Sequence, residues 1–263
     1  MNLNNFIANK GVPRLVFATG AGLSQESGIS TFRDADNEGL WDQYNIDEIC
    51  NFATFHINYQ KVHNFYNQLR ENLKHVEPNI GHHIIAEFQK MYGDDRVIHI
   101  TANVDDLSER AGGTAMHVHG KLTEVVEPFS INSNNYEVKD IGYESFTPTD
   151  GVISKPNIVM FGEGFWFTDG VRKPIYDDMY LVLDSLTEQD TVIVIGSSDT
   201  VIPWSVYAGL ATPAQTLNVN PESHEKDEYF TYNMYQPISN AISMIDQYIH
   251  MRMDKQDFSS VEY

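Results

Sequence analysis

Apolar residues gather into short runs closed by turn residues: RLVFATG at 14–20, RVIHITANV at 96–104, AMHVHG at 115–120, NIVMFGE at 157–163, DTVIVIG at 190–196 and TLNVN at 216–220. Runs rich in β-branched residues, with no polar alternation, predict strands buried on both faces, as in a parallel sheet. Between the first two runs the apolar spacing turns helical, in FHINYQKVHNFYNQLRENL at 55–73 and PNIGHHIIAEFQKMYG at 78–93, where Pro78 and Gly81 punctuate the helices. IYDDMYLVLDSLTE at 175–188 and ISNAISMIDQYIHMRM at 238–253 predict two later helices. Strand and helix alternate, so the expected fold is α/β, a doubly wound parallel sheet.

Two segments fit the alternation poorly. Residues 36–78 read as helical and inserted; residues 121–155 read as polar and irregular, with scattered aromatics. Together they predict a small helical and irregular lobe, 36–78 plus 121–155, over the mouth of a large lobe made of 1–35, 79–120 and 156–263. No internal repeat and no low-complexity tract interrupts the pattern.

Composition narrows the function classes. The 263 residues, 41% hydrophobic, suffice for one large lobe carrying a smaller one. No apolar run approaches the roughly 20 residues that span a bilayer, and MNLNNFIANKGVPR lacks the basic-then-apolar layout of a secretory signal. A soluble, cytoplasmic protein with no membrane partner is expected. The net charge of −20 repels phosphate backbones and attracts basic partners, which argues against nucleic acid; the same acidity could serve solubility alone. Cys50 is the only cysteine, so no internal disulfide can form and a thiolate zinc site is excluded.

Chemistry first shows at Gly20-Ala21-Gly22, which follows the first predicted strand and opens a helix. Glycines there let a backbone approach a pyrophosphate, as in a Rossmann-like dinucleotide fold, although the spacing is not G-x-G-x-x-G and a plain tight turn would look the same. The continuation, GAGLSQESGISTFRDADNEGLW, resembles the first NAD motif of the sirtuin family, from the glycines through Phe32-Arg33 to Gly39-Leu40-Trp41. Thr101-Ala102-Asn103-Val104-Asp105 resembles the family's Thr-Gln-Asn-(Ile/Val)-Asp, and His119-Gly120 stands where the family carries its catalytic histidine. KPNIVMFGE resembles the substrate-binding strand, VIGSSDTVIP a nucleotide-binding turn, and TLNVNPES the adenosine side. Six blocks in the family's order over some 200 residues form a specific pattern. TFR, GLW, NIDEICNFATF and FYNQLRE place the resemblance nearest the branch of bacterial deacetylases and desuccinylase-type enzymes.

The resemblance implies an NAD-dependent lysine deacylase that acts on acylated lysine in a protein or peptide and releases nicotinamide and O-acyl-ADP-ribose. His119 would be the general base and Asn103 would position water and ribose; neutral imidazole suits a base near pH 7. NAD would be held by Gly20, Ala21, Gly22, Ser24, Ile29, Phe32, Arg33, Asn103, Val104, Asp105, Gly196, Ser197, Ser198, Asn218 and Asn220, with Asp105 accepting from the nicotinamide amide. The acyl-lysine would meet Tyr66, Arg70, Val159, Phe161, Gly162 and Glu163. Plainer roles stand beside these: Phe32 as a core aromatic, Ser197 and Ser198 as turn closers, Asn218 and Asn220 as turn formers, His82 and His83 as capping or packing residues, and His117 as structural.

Three departures from the pattern bear on activity. Ala102 replaces the usual Gln; residues 121–155 contain neither Cys nor His, so no structural zinc is expected and Phe129, Tyr136, Tyr143 and Phe146 must supply a core; and the arginine expected three residues after Tyr66 falls at Arg70, with Leu69 in its place. The first two leave open an NAD hydrolase or ADP-ribosyltransferase on this scaffold, and the first also permits a non-catalytic NAD-sensing protein.

Overall fold

The computed structural model describes residues 3–29, 44–129, 136–163 and 173–254. Phe32, Arg33 and Gly39-Leu40-Trp41 lie outside the described residues.

Six parallel strands form the main sheet: β1 (Leu15–Thr19), β2 (Val97–Thr101), β3 (Met116–His117), β7 (Thr191–Ile195), β8 (Gln215–Val219) and β9 (Tyr232–Met234), in the order β3-β2-β1-β7-β8-β9. The chain winds outward from β1 through β2 to β3, then returns beside β1 at β7 and winds the other way. The switch point therefore lies between β1 and β7, where open parallel sheets place their ligands.

Side chains alternate across the sheet and build a core on each face. Leu15, Phe17, Ile193 and Ile195 face Ile85 and Phe88 of α5 (Ile80–Tyr92) and Ala241, Ile245 and Ile249 of α8 (Ile238–Met253). Val16, Ala18, Ile98 and Val192 face Phe6 of α1 (Leu3–Ala8) and Met179, Val182 and Leu183 of α7 (Lys173–Asp184). Helices on both sides explain why the strands read as unbroken apolar runs.

A third cluster belongs to the small lobe. Val62, Phe65, Tyr66 and Leu73, at helical spacing on α4 (Tyr59–Leu73), which follows the short α3 (Ile46–Ile49), pack with Leu122, Val126, Phe129, Ile158 and Met160. Here two sequence expectations are corrected. Among the described residues, 121–155 are not wholly irregular: β4 (Gly120–Val126) pairs antiparallel with β5 (Val138–Asp140) and with β6 (Lys155–Ile158) in a separate three-stranded sheet. The run KPNIVMFGE consequently contributes an edge strand of the small sheet instead of a parallel strand of the large one. Pro156 fits that edge, because it has no N–H to give a second neighbour. Phe129 is buried in this core, while Tyr136 and Tyr143 pack on its border.

Local chemistry sets the boundaries. Asn79 caps α5, its side chain accepting from Gly81 N while His82 Nδ1 accepts from Asn79 N, so His82 is the capping residue expected from sequence. At the amino edge of the sheet, Arg14 and Asp190 form a fully buried ion pair at 2.7 Å, and Arg14 also donates to the carbonyls of Phe6 and Ser185. Arg252 donates to the carbonyls of Gln189 and Asp190 at the same edge. Among the described residues no helix is long and apolar enough to cross a membrane.

Candidate active site at the carboxyl edge of the sheet

Polar residues collect at the opposite edge, each delivered by the end of a strand. β1 runs into Gly20-Ala21-Gly22 and the short helix α2 (Ala21–Gln25). β7 runs into Gly196, whose φ of 62° is left-handed. These two turns touch through their backbones: Gly22 N donates to Gly196 O at 2.8 Å, and Gly20 N to Ile195 O at 3.0 Å. A Cβ on Gly22 would lie 2.7 Å from Gly196 Cα, and one on Gly196 would lie 2.4 Å from Leu23 N. The glycines are thus required by the crossing of two turns at the switch point.

Ser24, on α2, is the hub of the site. Its hydroxyl donates to Asp105 Oδ2 at 2.8 Å and accepts from Asn103 Nδ2 at 3.0 Å. Because His82 Nδ1 accepts from the helix cap, its proton sits on Nε2, 3.4 Å from the same hydroxyl. Burial holds His82 neutral, its pKa lowered to about 4. Asp105 is buried, which raises its pKa, while Ser24 and the N–H of Leu107 stabilise the anion. A carboxylate has about four lone-pair positions; these two donors leave it capacity to accept an amide N–H, which fits the carboxamide of a nicotinamide ring.

His119 lies in the turn between β3 and β4, half-buried, with Nδ1 3.2 Å from the carbonyl oxygen of Ala102. A carbonyl only accepts, so Nδ1 carries the proton and Nε2 is the basic nitrogen of the neutral ring. The next residue after Ala102 is Asn103, so the histidine is tied by one bond to the segment that carries the amide. His119 in turn anchors the strand end opposite, its carbonyl accepting from Val159 N at 2.9 Å.

The remaining sequence-predicted residues divide by position. Val104 accepts at its carbonyl from Leu122 N, and Ile29 packs at the border of the small-lobe core. Ser197 is half-buried and Ser198 exposed in the turn after β7; Asn220 reaches that turn, Nδ2 donating to Ser197 O at 2.6 Å. Asn218 is buried in β8, its amide given to Asp227 and Asn233. Phe161 is exposed, with Gly162 beside it, and the Phe161 backbone bonds the segment at Cys50 and Phe52. Glu163 is fully buried against Lys155 at 3.1 Å and accepts from Met160 N. Tyr66 and Arg70 point into the small-lobe core: Tyr66 OH donates to Cys50 Sγ at 3.7 Å, and Arg70 donates to Leu122 O at 3.1 Å and to Asn67. Desolvation pushes the Cys50 thiol up to about 11, so it stays protonated. Among the described residues no group of three or more His, Cys, Asp or Glu side chains is placed to hold a metal ion.

The model of the Sir2 family matches residues 20–203, which hold every strand-end turn just described except the one after β8. The chain belongs to the Sir2 family. It is 36% identical to an NAD-dependent protein deacylase of Helicobacter hepaticus, over 90% of this chain and 97% of that one. It is 35% identical to an NAD-dependent protein deacylase of Campylobacter jejuni, over 88% and 93%. A solved Sir2 homologue in complex with NAD superposes with a TM-score of 0.74 at 27% identity, covering 95% of this chain and 94% of that one.

In this Sir2 protein the pairing of β1 with β2 adds Thr19 and His99, to which the sequence assigns no role, beside Thr101. Thr19 and Thr101, paired in register on β1 and β2, share a hydrogen bond at 2.8 Å, and Thr19 meets the buried His99 at 2.8 Å. A histidine within an apolar strand was the visible signal; its partners emerge only once the strands are paired.

Proposed function

We propose that this Sir2 protein is an NAD-dependent deacylase of lysine side chains in proteins or peptides, with His119 as general base and Asn103 as the positioner of ribose and water. The observation that carries the reading is the bonded set of Ser24, Asn103 and Asp105 at the switch point, joined through Ala102 to a histidine whose basic nitrogen is Nε2. Bound NAD would supply a ribose carbon activated by its nicotinamide leaving group. Asp105 would accept from the nicotinamide amide, and the turns at Gly20-Ala21-Gly22 and Gly196-Ser197-Ser198 would face the phosphates. By the family resemblance Phe32 would cover the nicotinamide pocket and Ile29 and Arg33 would also contact NAD, with Asn218 and Asn220 on the adenosine side. His119 would take a ribose hydroxyl proton as the acyl group moves from lysine to sugar, so that the products are nicotinamide, free lysine and O-acyl-ADP-ribose.

The acyl-lysine would enter along Val159, Phe161 and Gly162, with Glu163 supporting that turn from beneath. The net charge of −20 favours a target lysine in basic surroundings and disfavours nucleic acid. A cytoplasmic location, away from membranes, suits this chemistry.

Nicotinamide release tests the reading when NAD is offered alone and then with an acetyl-lysine peptide. Release that depends on the peptide supports a deacylase; equal release without peptide identifies an NAD hydrolase, which the alanine at position 102 would permit. Binding of NAD with no release would identify a sensor.

A further inference from the structure

Asn103 is gripped at three points, and two of the grips have nothing to do with its own side chain. Its N–H donates to Thr101 Oγ1 at 3.0 Å, and its amide reaches Ser24. Its carbonyl lies 2.9 Å from His117 Nδ1, and the far side of that ring, Nε2, lies 2.9 Å from Glu109 Oε1. Glu109, on α6 (Leu107–Arg110), is held in turn by Lys121 of β4 at 3.1 Å. Burial opposes ionisation of Glu109, but the bonds and charges of His117 and Lys121 override it and lower its pKa to about 2. His117 is 4% exposed, so the ring turns its edges to these partners and not to solvent.

We propose that His117 and Glu109 form a brace that positions Asn103 for the reaction: Glu109 fixes the imidazole, the imidazole fixes the Asn103 carbonyl, and the amide is thereby held against Ser24. His117 is therefore a positioning residue and neither a metal ligand nor a packing residue alone. A carbonyl can only accept, so Nδ1 donates; Nε2 is left to Glu109, and the orientation of the ring depends on that carboxylate. The proposal rests on the deacylase reading, in which Asn103 orients ribose and water. Misplacing such a group by a fraction of an ångström slows the chemical step while leaving most ground-state binding intact.

Glu109→Ala and Glu109→Gln separate positioning from folding. Alanine removes the partner of the ring, whereas glutamine carries both a donor and an acceptor and can bond Nε2 in either protonation state. Two readouts are taken on each variant. The first uses ligand-free protein labelled with 15N at asparagine: the Asn103 side-chain amide signals are expected to shift or broaden in Glu109→Ala and to return towards the parent in Glu109→Gln. The second is deacylation of an acetyl-lysine peptide: kcat is expected to fall about 10–100-fold in the alanine variant, with KM for NAD within about twofold, and to recover in the glutamine variant. Asn103 signals that are the same in parent and Glu109→Ala overturn the brace, whatever the activity. A kcat that is unchanged in Glu109→Ala also overturns it. A parent without deacylase activity defeats the functional reading instead, and the NMR comparison then still decides whether the brace exists. Loss of all dispersed signals in Glu109→Ala would show a folding role, and His117→Gln then repeats both readouts: Asn103 signals and kcat like the parent's overturn the brace.

Discussion

At the scale of single residues, the site depends on which nitrogen of each histidine carries its proton. His119 donates from Nδ1 to Ala102 and keeps Nε2 as base; His82 accepts at Nδ1 from its helix cap and presents Nε2–H towards Ser24. One ring thereby leaves Nε2 as its basic nitrogen and the other turns Nε2–H towards Ser24, His119 from the turn between β3 and β4 and His82 from the first turn of α5. His119→Ala should lower kcat for deacylation by about 10²–10⁴-fold, the range of a lost general base, while the dissociation constant for NAD measured by calorimetry changes little. Deacylation within tenfold of the parent would remove His119 from the mechanism. Positions such as Ser24, Asn103, Asp105 and His119 are legible in the sequence through the blocks that resemble those of the sirtuin family, GAGLS, TANVD and HG, which stand at or near the ends of apolar runs. The threads behind them are not: Thr19 lies 80 residues from His99, and Glu109, only eight residues from His117, sits on a helix while His117 sits on a strand, so both contacts form only when the elements pack.

Among elements, the turn crossing at the switch point is the tightest packing in the site. Gly22→Ala would press a methyl group onto the Gly196 backbone, and backbone cannot swing aside as a side chain can. The expected cost is about 1–3 kcal/mol in chemical denaturation, together with weaker NAD binding, because the same turn would have to open. Unchanged stability and affinity would show that the crossing is looser than drawn. Helix α4 makes a second prediction, on acyl choice. A negatively charged acyl group needs a well-aimed guanidinium, but Arg70 is buried and given to Leu122 and Asn67, and the Tyr66 hydroxyl to Cys50. Acetyl-lysine peptide should be processed at least as fast as succinyl-lysine peptide at low concentration; a succinyl preference above tenfold would mean that Arg70 leaves its partners. The main strands and long helices were legible because parallel strands buried on both faces read as continuous apolar runs and α4, α5 and α8 show clean helical spacing. The small sheet was not. β4 mixes polar and apolar positions, β5 is three mostly exposed residues, and the four residues of β6 resemble an interior strand until Pro156 is seen at an edge.

For the molecule as a whole, the two edges of the sheet divide the work. The carboxyl edge carries the glycine turns, Asn103, Asp105 and His119; the amino edge carries the Arg14–Asp190 pair and Arg252. Three buried histidines add a pH dependence to the fold. Desolvation lowers His63 and His82 to about 4 and His99 to about 3, against 6.5 for a free ring. The unfolded chain therefore takes up protons near pH 6.5 that the folded chain refuses until much lower. Stability is full above that point and falls as pH drops towards 4, each ring contributing up to about 1.4 kcal/mol per pH unit. Denaturant unfolding between pH 8 and pH 5 should show a plateau and then a decline; a flat profile would mean that these rings are not buried as neutral groups.

The proposed reaction is acyl transfer from lysine to the ribose of NAD at this edge. Its most direct measurement is a product balance by mass spectrometry on protein incubated with NAD and an acetyl-lysine peptide. Nicotinamide, free lysine peptide and O-acetyl-ADP-ribose are expected in equal amounts, all three abolished together in His119→Ala. Free ADP-ribose formed in step with nicotinamide while the peptide keeps its acetyl group would rule out acyl transfer.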